Sequence, residues 1–322
     1  MFMKRLIHSL LLVFIAIGGL AQPVPNVDEN IPYLMTFSPQ AEVSWGDDDF
    51  SQAFFFMIPE GYEDPFFIRV FDPDTGGEVD EVAGTFNSRQ IYEVYGGEGV
   101  WSEPDAQETS PKGAYKSGTL LASRAFGANP RYDNSWYSFG PFNPAQGEHV
   151  PQLGGRIFKV ICEGLTGDDG NMYRYYLSTE ADENRPIEEG NAFAYEYSFR
   201  MHNDYEEVSH IYPYVEEGTI SVKISNFDWD KDGKIMVISV ARQGADIPVS
   251  NEADWVEHDL IMSEDEIKTS LDFRFVKSRP LVRNNNVVVN VRNQHDKTLP
   301  FYTVPIGGVP RYKGEVEFEA IE

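Results

Sequence analysis

Cysteine is almost absent: Cys162 is the single one in 322 residues. An internal disulfide is therefore excluded, as are Cys-x-x-Cys redox and zinc motifs. Missing too are His-Glu-x-x-His, Gly-x-Ser-x-Gly and any Gly-rich phosphate loop, and His149, His202, His210, His258 and His295 are scattered without metal-ligand spacing. Positive charge is scarce, with 26 Lys and Arg against 52 Asp and Glu. Such a field argues against nucleic acid or anionic lipid over most of the surface. Long apolar runs are lacking after the first residues, so no later segment reads as membrane-spanning.

The first residues have a different character. Lys4 and Arg5 precede an apolar run from Leu10 to Ile17, Gly18 and Gly19 break it, and Gly19-Leu20-Ala21 puts small residues where a leader is cleaved. The run falls short of the about 20 residues that span a bilayer. Residues 1–21 thus read as a secretory signal peptide, and the protein as exported to periplasm, cell surface or medium. No cysteine follows the cut, so no lipoprotein anchor is expected there. Removing 21 residues with Lys4 and Arg5 leaves 301 residues with 24 basic against 52 acidic side chains, a net −28. Cys162, inside the strand-like run Ile157–Cys162, reads as a small buried apolar residue.

The remainder alternates with period two. Ile220, Val222 and Ile224 oppose Ser221, Lys223 and Ser225; Leu271, Phe273 and Phe275 oppose Asp272 and Arg274; Val287, Val289 and Val291 form one face of another segment, and Val316, Phe318 and Ala320 a last one. Each pattern predicts a strand with one wet and one buried face. Further strands are predicted over Ile31–Phe37, Ala53–Ile58, Phe66–Phe71, Gln90–Tyr95, Thr119–Phe126, Ser135–Phe139, Met172–Leu177, Phe193–Met201, His210–Val215, Lys234–Val240 and Trp255–Met262. Only Ser263–Glu266, spaced as a capping box, looks like a helix start. Many short strands and no long helix predict an all-β fold. We expect two tandem antiparallel β-sandwich, jelly-roll-like domains, residues 22–180 and 191–322. Between them 181–190, with Asp182, Glu183, Glu188 and Glu189, reads as an acidic linker or else a long loop. An ungapped echo at offset 156 pairs Ile68 with Ile224, Phe71 with Phe227, Asp72 with Asp228, Asp74 with Asp230 and Gly77 with Gly233. Duplication and shared turn chemistry both account for it.

The sharpest chemical motif is Asp228-Trp229-Asp230-Lys231-Asp232-Gly233. Carboxylates at alternate positions can wrap Ca2+, with Gly permitting positive φ at the bend. These six residues resemble the start of EF-hand and dockerin calcium loops, but Ser239 stands where the closing Glu would be. The competing reading is a plain hairpin turn between Thr219–Ser225 and Lys234–Val240. Asp72–Gly77 is a weaker relative of the motif, and Gly46–Asp49 and Asp168-Asp169 are candidate accessory ligands. Aromatic residues in loop-like settings include Trp101, Trp136, Tyr137, Tyr132, Trp229 and Trp255. Tyr132, Asp133, Trp136, Tyr137 and Trp229 form the candidate ligand-binding set, combining rings that stack on sugars with a hydrogen-bonding acid, although sandwich cores also take aromatics. Nine basic residues from Lys268 to Lys313 face only Asp272 and Asp296, a stripe for internal pairing or an anionic partner.

Phe54-Phe55-Phe56-Met57-Ile58-Pro59-Glu60-Gly61 resembles the aromatic strand and Pro-containing turn of pre-peptidase C-terminal modules, non-catalytic β-sandwiches of secreted bacterial proteins. The resemblance implies a sandwich fold and an accessory role. The expected function is a non-enzymatic envelope binding or structural protein, calcium-stabilised through Asp228, Asp230 and Asp232, with a glycan or an envelope protein as partner. The alternative is a secreted polysaccharide hydrolase with a carboxylate pair among its many acids. Mass spectrometry of the exported protein is expected to find Gln22 as its first residue; an intact Met1 would overturn the leader.

Overall fold

The computed structural model describes residues 21–108, 113–278 and 285–308. The leader up to residue 20 and the strand predicted around Val316–Ala320 lie outside them. In chain order the strands are β1 (Tyr33–Phe37), β2 (Ser51–Pro59), β3 (Phe66–Phe71), β4 (Arg89–Gly96), β5 (Thr119–Phe126), β6 (Trp136–Phe142), β7 (Glu148–Val150), β8 (Gly155–Thr166) and β9 (Gly170–Ser178). They continue as β10 (Asn191–Ala194), β11 (Glu196–Arg200), β12 (Val208–Ile211), β13 (Ser221–Phe227), β14 (Gly233–Ile238), β15 (Gln243–Ile247), β16 (Trp255–Ile261), β17 (Asp272–Lys277), β18 (Asn286–Asn293) and β19 (Phe301–Tyr302). Helical segments among the described residues are single 3-10 turns of three or four residues. At Glu264–Glu266 the Ser263 amide donates to Glu266 Oε2 at 2.9 Å, but the turn stops there and gives way to β17.

The fold is all-β, sandwich-like and antiparallel. One sheet of eight strands runs β16-β13-β18-β11-β1-β9-β3-β6; a second runs β19-β10-β2-β8-β4-β5, with β7 on β8; a third runs β12-β17-β14-β15. Leaving out β7, β10 and β19, the chain visits the sheets twice in the same order: β1-β9-β3-β6 with β2-β8-β4-β5, then β11-β18-β13-β16 with β12-β17-β14-β15.

The period-two patterns become the two faces of these strands. On β9, Tyr173, Tyr175 and Leu177 enter the core while Arg174 and Tyr176 face outward. Burial of such aromatic and branched side chains is the main favourable contribution to folding. The core does not stop at residue 180: a single cluster runs from Val24 through Phe56, Tyr197 and Val289 to Phe301.

Two strand pairs carry it across. Leu34 of β1 lies opposite Phe199 of β11, and Phe55 of β2 opposite Phe193 of β10, with the Phe55 and Phe193 rings stacked at 5.1 Å. The intervening 181–190 is a closed loop, not an extended spacer. Thr179 N reaches Arg185 O at 2.9 Å, Ser178 Oγ donates to Glu183 O at 2.8 Å, and Ile187 is buried in the core. The run expected as one strand, Phe193–Met201, is two, because β10 pairs with β2 and β11 with β1 in different sheets. Replacing Phe193 with Ala removes a buried ring on the β2 edge and is expected to cost about 3–5 kcal/mol. Urea unfolding measures this; an unchanged midpoint would mean that β10 adds nothing to the core.

Candidate functional site

The turn after β13 is not the expected hairpin. β13 belongs to the eight-stranded sheet and β14 to the four-stranded one, so Asp228–Asp232 carries the chain between sheets. Positive φ falls on Asp230 (57°) and Lys231 (55°), and Asp232 N donates to Trp229 O at 3.1 Å, the pattern of a type I′ turn. Gly233 is not the positive-φ residue. It is required by space: a Cβ there would stand 2.2 Å from Val276 O and 2.6 Å from the Trp229 ring.

The turn also draws its carboxylates apart. Asp228 Oδ1 accepts from Ala253 N at 2.5 Å, Asp232 Oδ2 accepts from Asn285 Nδ2 at 3.2 Å, and the Lys277 charge acts on Asp230 and Asp232. Among the described residues, triplets of carboxylates with oxygens mutually within 4.8 Å are Asp47, Asp48, Asp49 and Asp72, Asp74, Asp133; the triplet expected at Asp228, Asp230 and Asp232 is not one of them. Trp229 is fully buried edge-on to Phe275 at 5.8 Å, so its ring offers no face to a ligand.

Two of the acids expected as accessory ligands, Asp47 and Asp169, hold backbone instead. Asp47 accepts from the amides of Phe37 (2.7 Å), Phe50 (2.8 Å) and Asp49 (3.3 Å), and burial pushes its carboxyl up to about 7 against these bonds. Asp169 accepts from Ala83, Asn87 and Ser88 amides at 2.8–3.1 Å.

The Asp72–Gly77 loop differs. Asp72 closes β3 with φ 56°; its amide donates to Ser135 O at 2.9 Å and its Oδ1 accepts from Asn134 N at 3.2 Å. Asp80 underpins the loop, accepting from Gly76 N and Met172 N at 2.7 Å each. Asp74 is fully buried and neither of its carboxylate oxygens has a hydrogen-bond partner; Asp133 Oδ1 is likewise buried and unpartnered. Burial, reinforced by Asp133 and Asp72, pushes Asp74 up to about 7, and burial with Asp133 pushes Asp72 up to about 6. Asp133 was expected to meet an external ligand; it lies over Gly76 and Gly77, 3.4 Å from where a Cβ on either would be.

Strand alternation separates the other aromatic candidates. Tyr132 and Tyr137 turn inward and cage Arg124, whose guanidinium is 5.1 and 4.4 Å from their ring centres and donates to Tyr132 Oη at 2.7 Å. Trp136 is on the opposite face of β6, packed on Phe71 at 5.3 Å and Tyr176 at 6.4 Å, with Arg69 5.0 Å over its ring. Arg174 lies 4.3 Å from the Phe71 centroid and 5.2 Å from Tyr33. Tyr33, Phe71, Trp136 and Tyr176 are all partly exposed, so the outer face of β1, β9, β3 and β6 carries rings interleaved with two guanidinium groups. Nothing in a single strand marks this face, because its members come from four strands; the visible signal was Arg and Tyr at alternate positions of β9.

Beside this face opens a cavity of about 320 Å3, lined by Trp136, Arg174, Tyr176 and Asn184 and by residues of the 23–31 segment. Among its described lining residues Glu29 is the one carboxylic acid. It accepts from Thr303 Oγ1 at 2.6 Å and Tyr197 Oη at 3.4 Å. Glycoside hydrolysis needs a second carboxyl facing the first.

Of the basic stripe, Lys268 pairs with Glu217 (2.8 Å), Arg274 with Asp272 (2.7 Å) and Lys297 with Glu216 (2.9 Å). Arg279, Arg283, Arg311 and Lys313 lie outside the described residues. Cys162 is buried and burial pushes its thiol up to about 12, which leaves it unreactive. No helix among the described residues is long and apolar enough to cross a membrane. No protein-family model matches the chain, and no curated protein is significantly similar to it.

Burial raises the Glu29 carboxyl from 4.5 to about 8, against the hydrogen bonds of Thr303 and Tyr197. The folded state therefore keeps a proton that the unfolded chain releases above its own lower pKa. The stability contributed is full below pH 4.5 and is lost as pH rises towards about 8. Glu29→Gln is expected to flatten the fall in melting temperature between pH 5 and pH 8; an equally steep fall in the variant would exclude this group as a cause.

Proposed function

We propose that the chain is an exported, non-enzymatic binding protein of the cell envelope, made of two jelly-roll-like halves, whose outer sheet face takes a glycan. The repeated strand order supports the two-half architecture: in each half four strands of one sheet and four of another interleave along the chain as a jelly roll requires. Sharing of sheets across residue 180 makes the halves one cooperative unit rather than independent beads.

The observation that carries the binding reading is the ring-and-guanidinium face at Tyr33, Phe71, Trp136, Arg174 and Tyr176, backed by the buried Arg69 and bordered by the cavity. Sugar rings present apolar C–H faces that pack on flat aromatic rings, while their hydroxyls need donors and acceptors close by. Arg174 is exposed and its guanidinium lies 4.3 Å from the Phe71 ring centre, a contact that restrains its donors before any ligand arrives. Its charge also stands out against the net −28 of the mature chain and favours saccharides that bear carboxylates. The lone Glu29 of the cavity, with both oxygens engaged, supports binding over hydrolysis.

A glycan array followed by calorimetry on the best hit tests this. Trp136→Ala and Arg174→Ala are each expected to weaken binding at least tenfold, about 1.4 kcal/mol, with unchanged circular dichroism. Equal affinity in both variants would remove the face from the binding site. Release of reducing ends from any bound polymer by the wild-type protein would favour the hydrolase instead.

A further inference from the structure

We propose that Asp72, Asp74 and Asp133 bind one divalent cation, and that Ca2+ is the ion that fits. The site goes beyond the glycan-binding reading and does not depend on it. Three carboxylates, two from the loop after β3 and one from the lead-in to β6, bring oxygens within 4.8 Å of one another. Asp74 is the decisive member. It is fully buried, it points into the cluster, and both its oxygens are without a hydrogen-bond partner. A buried carboxylate in that condition is strongly unfavourable unless a cation or a proton completes it.

The neighbouring acids of this molecule show what completion looks like. Asp47 and Asp169 are buried too and Asp80 partly so, and each is satisfied by two or three backbone amides. No amide of another residue reaches Asp74; its own backbone and the Asp133 carboxyl are what lie against it. Asp80, beside it, adds another negative charge, and Arg174 acts on Asp72 without an ion pair to it. Other buried oxygens on or under the loop are also unpartnered: Thr75 Oγ1, and Asn171 Oδ1, whose amide nitrogen is anchored to Pro73 O at 3.0 Å. The donor set at hand is oxygen alone, which selects a hard cation, and carboxylates drawn from two separate loops suit the looser coordination of Ca2+ better than the stricter octahedron of Mg2+.

The related turn at Asp228 serves as an internal control. Asp228 has the backbone conformation of Asp72, φ 58° against 56°, and the same clamp: its amide reaches Asp254 O and its Oδ1 takes Ala253 N, as Asp72 reaches Ser135 O and takes Asn134 N. There the charge of Lys277 compensates Asp230 and Asp232. At Asp74 no lysine takes that part among the described residues, and a metal ion supplies the missing positive charge.

The test uses the mature protein, stripped with EDTA and dialysed, and titrated with Ca2+ and with Mg2+ in a calorimeter. Terbium luminescence excited through tryptophan gives a second readout, since Trp136 follows Asp133 by three residues. One Ca2+ per chain is expected, with a melting temperature several degrees higher in millimolar Ca2+ than in EDTA. Asp74→Asn and the more accessible Asp133→Asn should each weaken Ca2+ binding at least tenfold while keeping the wild-type circular dichroism, and Asp228→Asn should leave it unchanged. Folded, stripped protein that binds none of these ions would overturn the site. So would full binding in both Asp74→Asn and Asp133→Asn, or its loss in Asp228→Asn.

Discussion

Both edges of β1 are hydrogen-bonded, and the rest of the molecule is arranged around that fact. Leu34 has Tyr173 of β9 on one side and Phe199 of β11 on the other, so two four-stranded sets that would each have ended in an open edge become one eight-stranded sheet. An exposed strand edge is an invitation to wrong pairing; here the second half of the chain closes the edge of the first. β10, itself flanked by β19, does the same for β2. Because the joined strands share an inward face, the apolar core passes from one half into the other, and the segment 181–190 is held against it through Ile187.

Acidic side chains do structural work inside this frame. Loops between strands leave amides without ladder partners, and a buried amide must find an acceptor. Asp47 holds the 47–50 turn to Phe37, Asp169 holds the 83–88 loop, and Asp80 ties Gly76 to β9. The negative charge is therefore not simply a solvated coat. It reaches inward at the loop ends, where burial raises the affinity of these carboxyls for protons. Asp74 stands apart because its loop brings carboxylates together and no amide of a neighbouring segment to meet its own oxygens.

The two related turns show how one backbone device serves different ends. Phe71 packs on Trp136 and Phe227 on Trp255, at 5.3 and 5.2 Å, and in each case the following Asp turns the chain with positive φ. Beyond that point the loops diverge. Trp229 sinks into the core on Phe275, and its turn relies on Lys277 and Asn285. Pro73 has no such ring, its carbonyl is taken by Asn171, and Asp74 is left facing Asp72 and Asp133. The repeated strand order places these turns at corresponding points of the fold, which gives the faint sequence echo at offset 156 a structural counterpart.

Local periodicity was enough to place most of the strands, though not the short β7, β15 and β19. Phe66–Phe71 and Thr119–Phe126 occur with the bounds their patterns predict, because a side chain's face is set by its own position in a pleat. The all-β class and the inert Cys162 follow from the same information. Which strands meet was beyond it: Phe193–Met201 is a continuous apolar pattern, yet it is split between two sheets by partners more than a hundred residues away. The candidate sites show the same limit. The motif read from spacing, Asp228 to Asp232, has the residue types for Ca2+ but not the convergence, and Trp229 has the ring but no exposed face. Asp133 reaches Asp72 and Asp74 from 61 and 59 positions along the chain because β6 pairs with β3. Residue type and alternation are properties of the chain; convergence of charge and exposure of a ring are properties of strand pairing, and only the tertiary structure decided them.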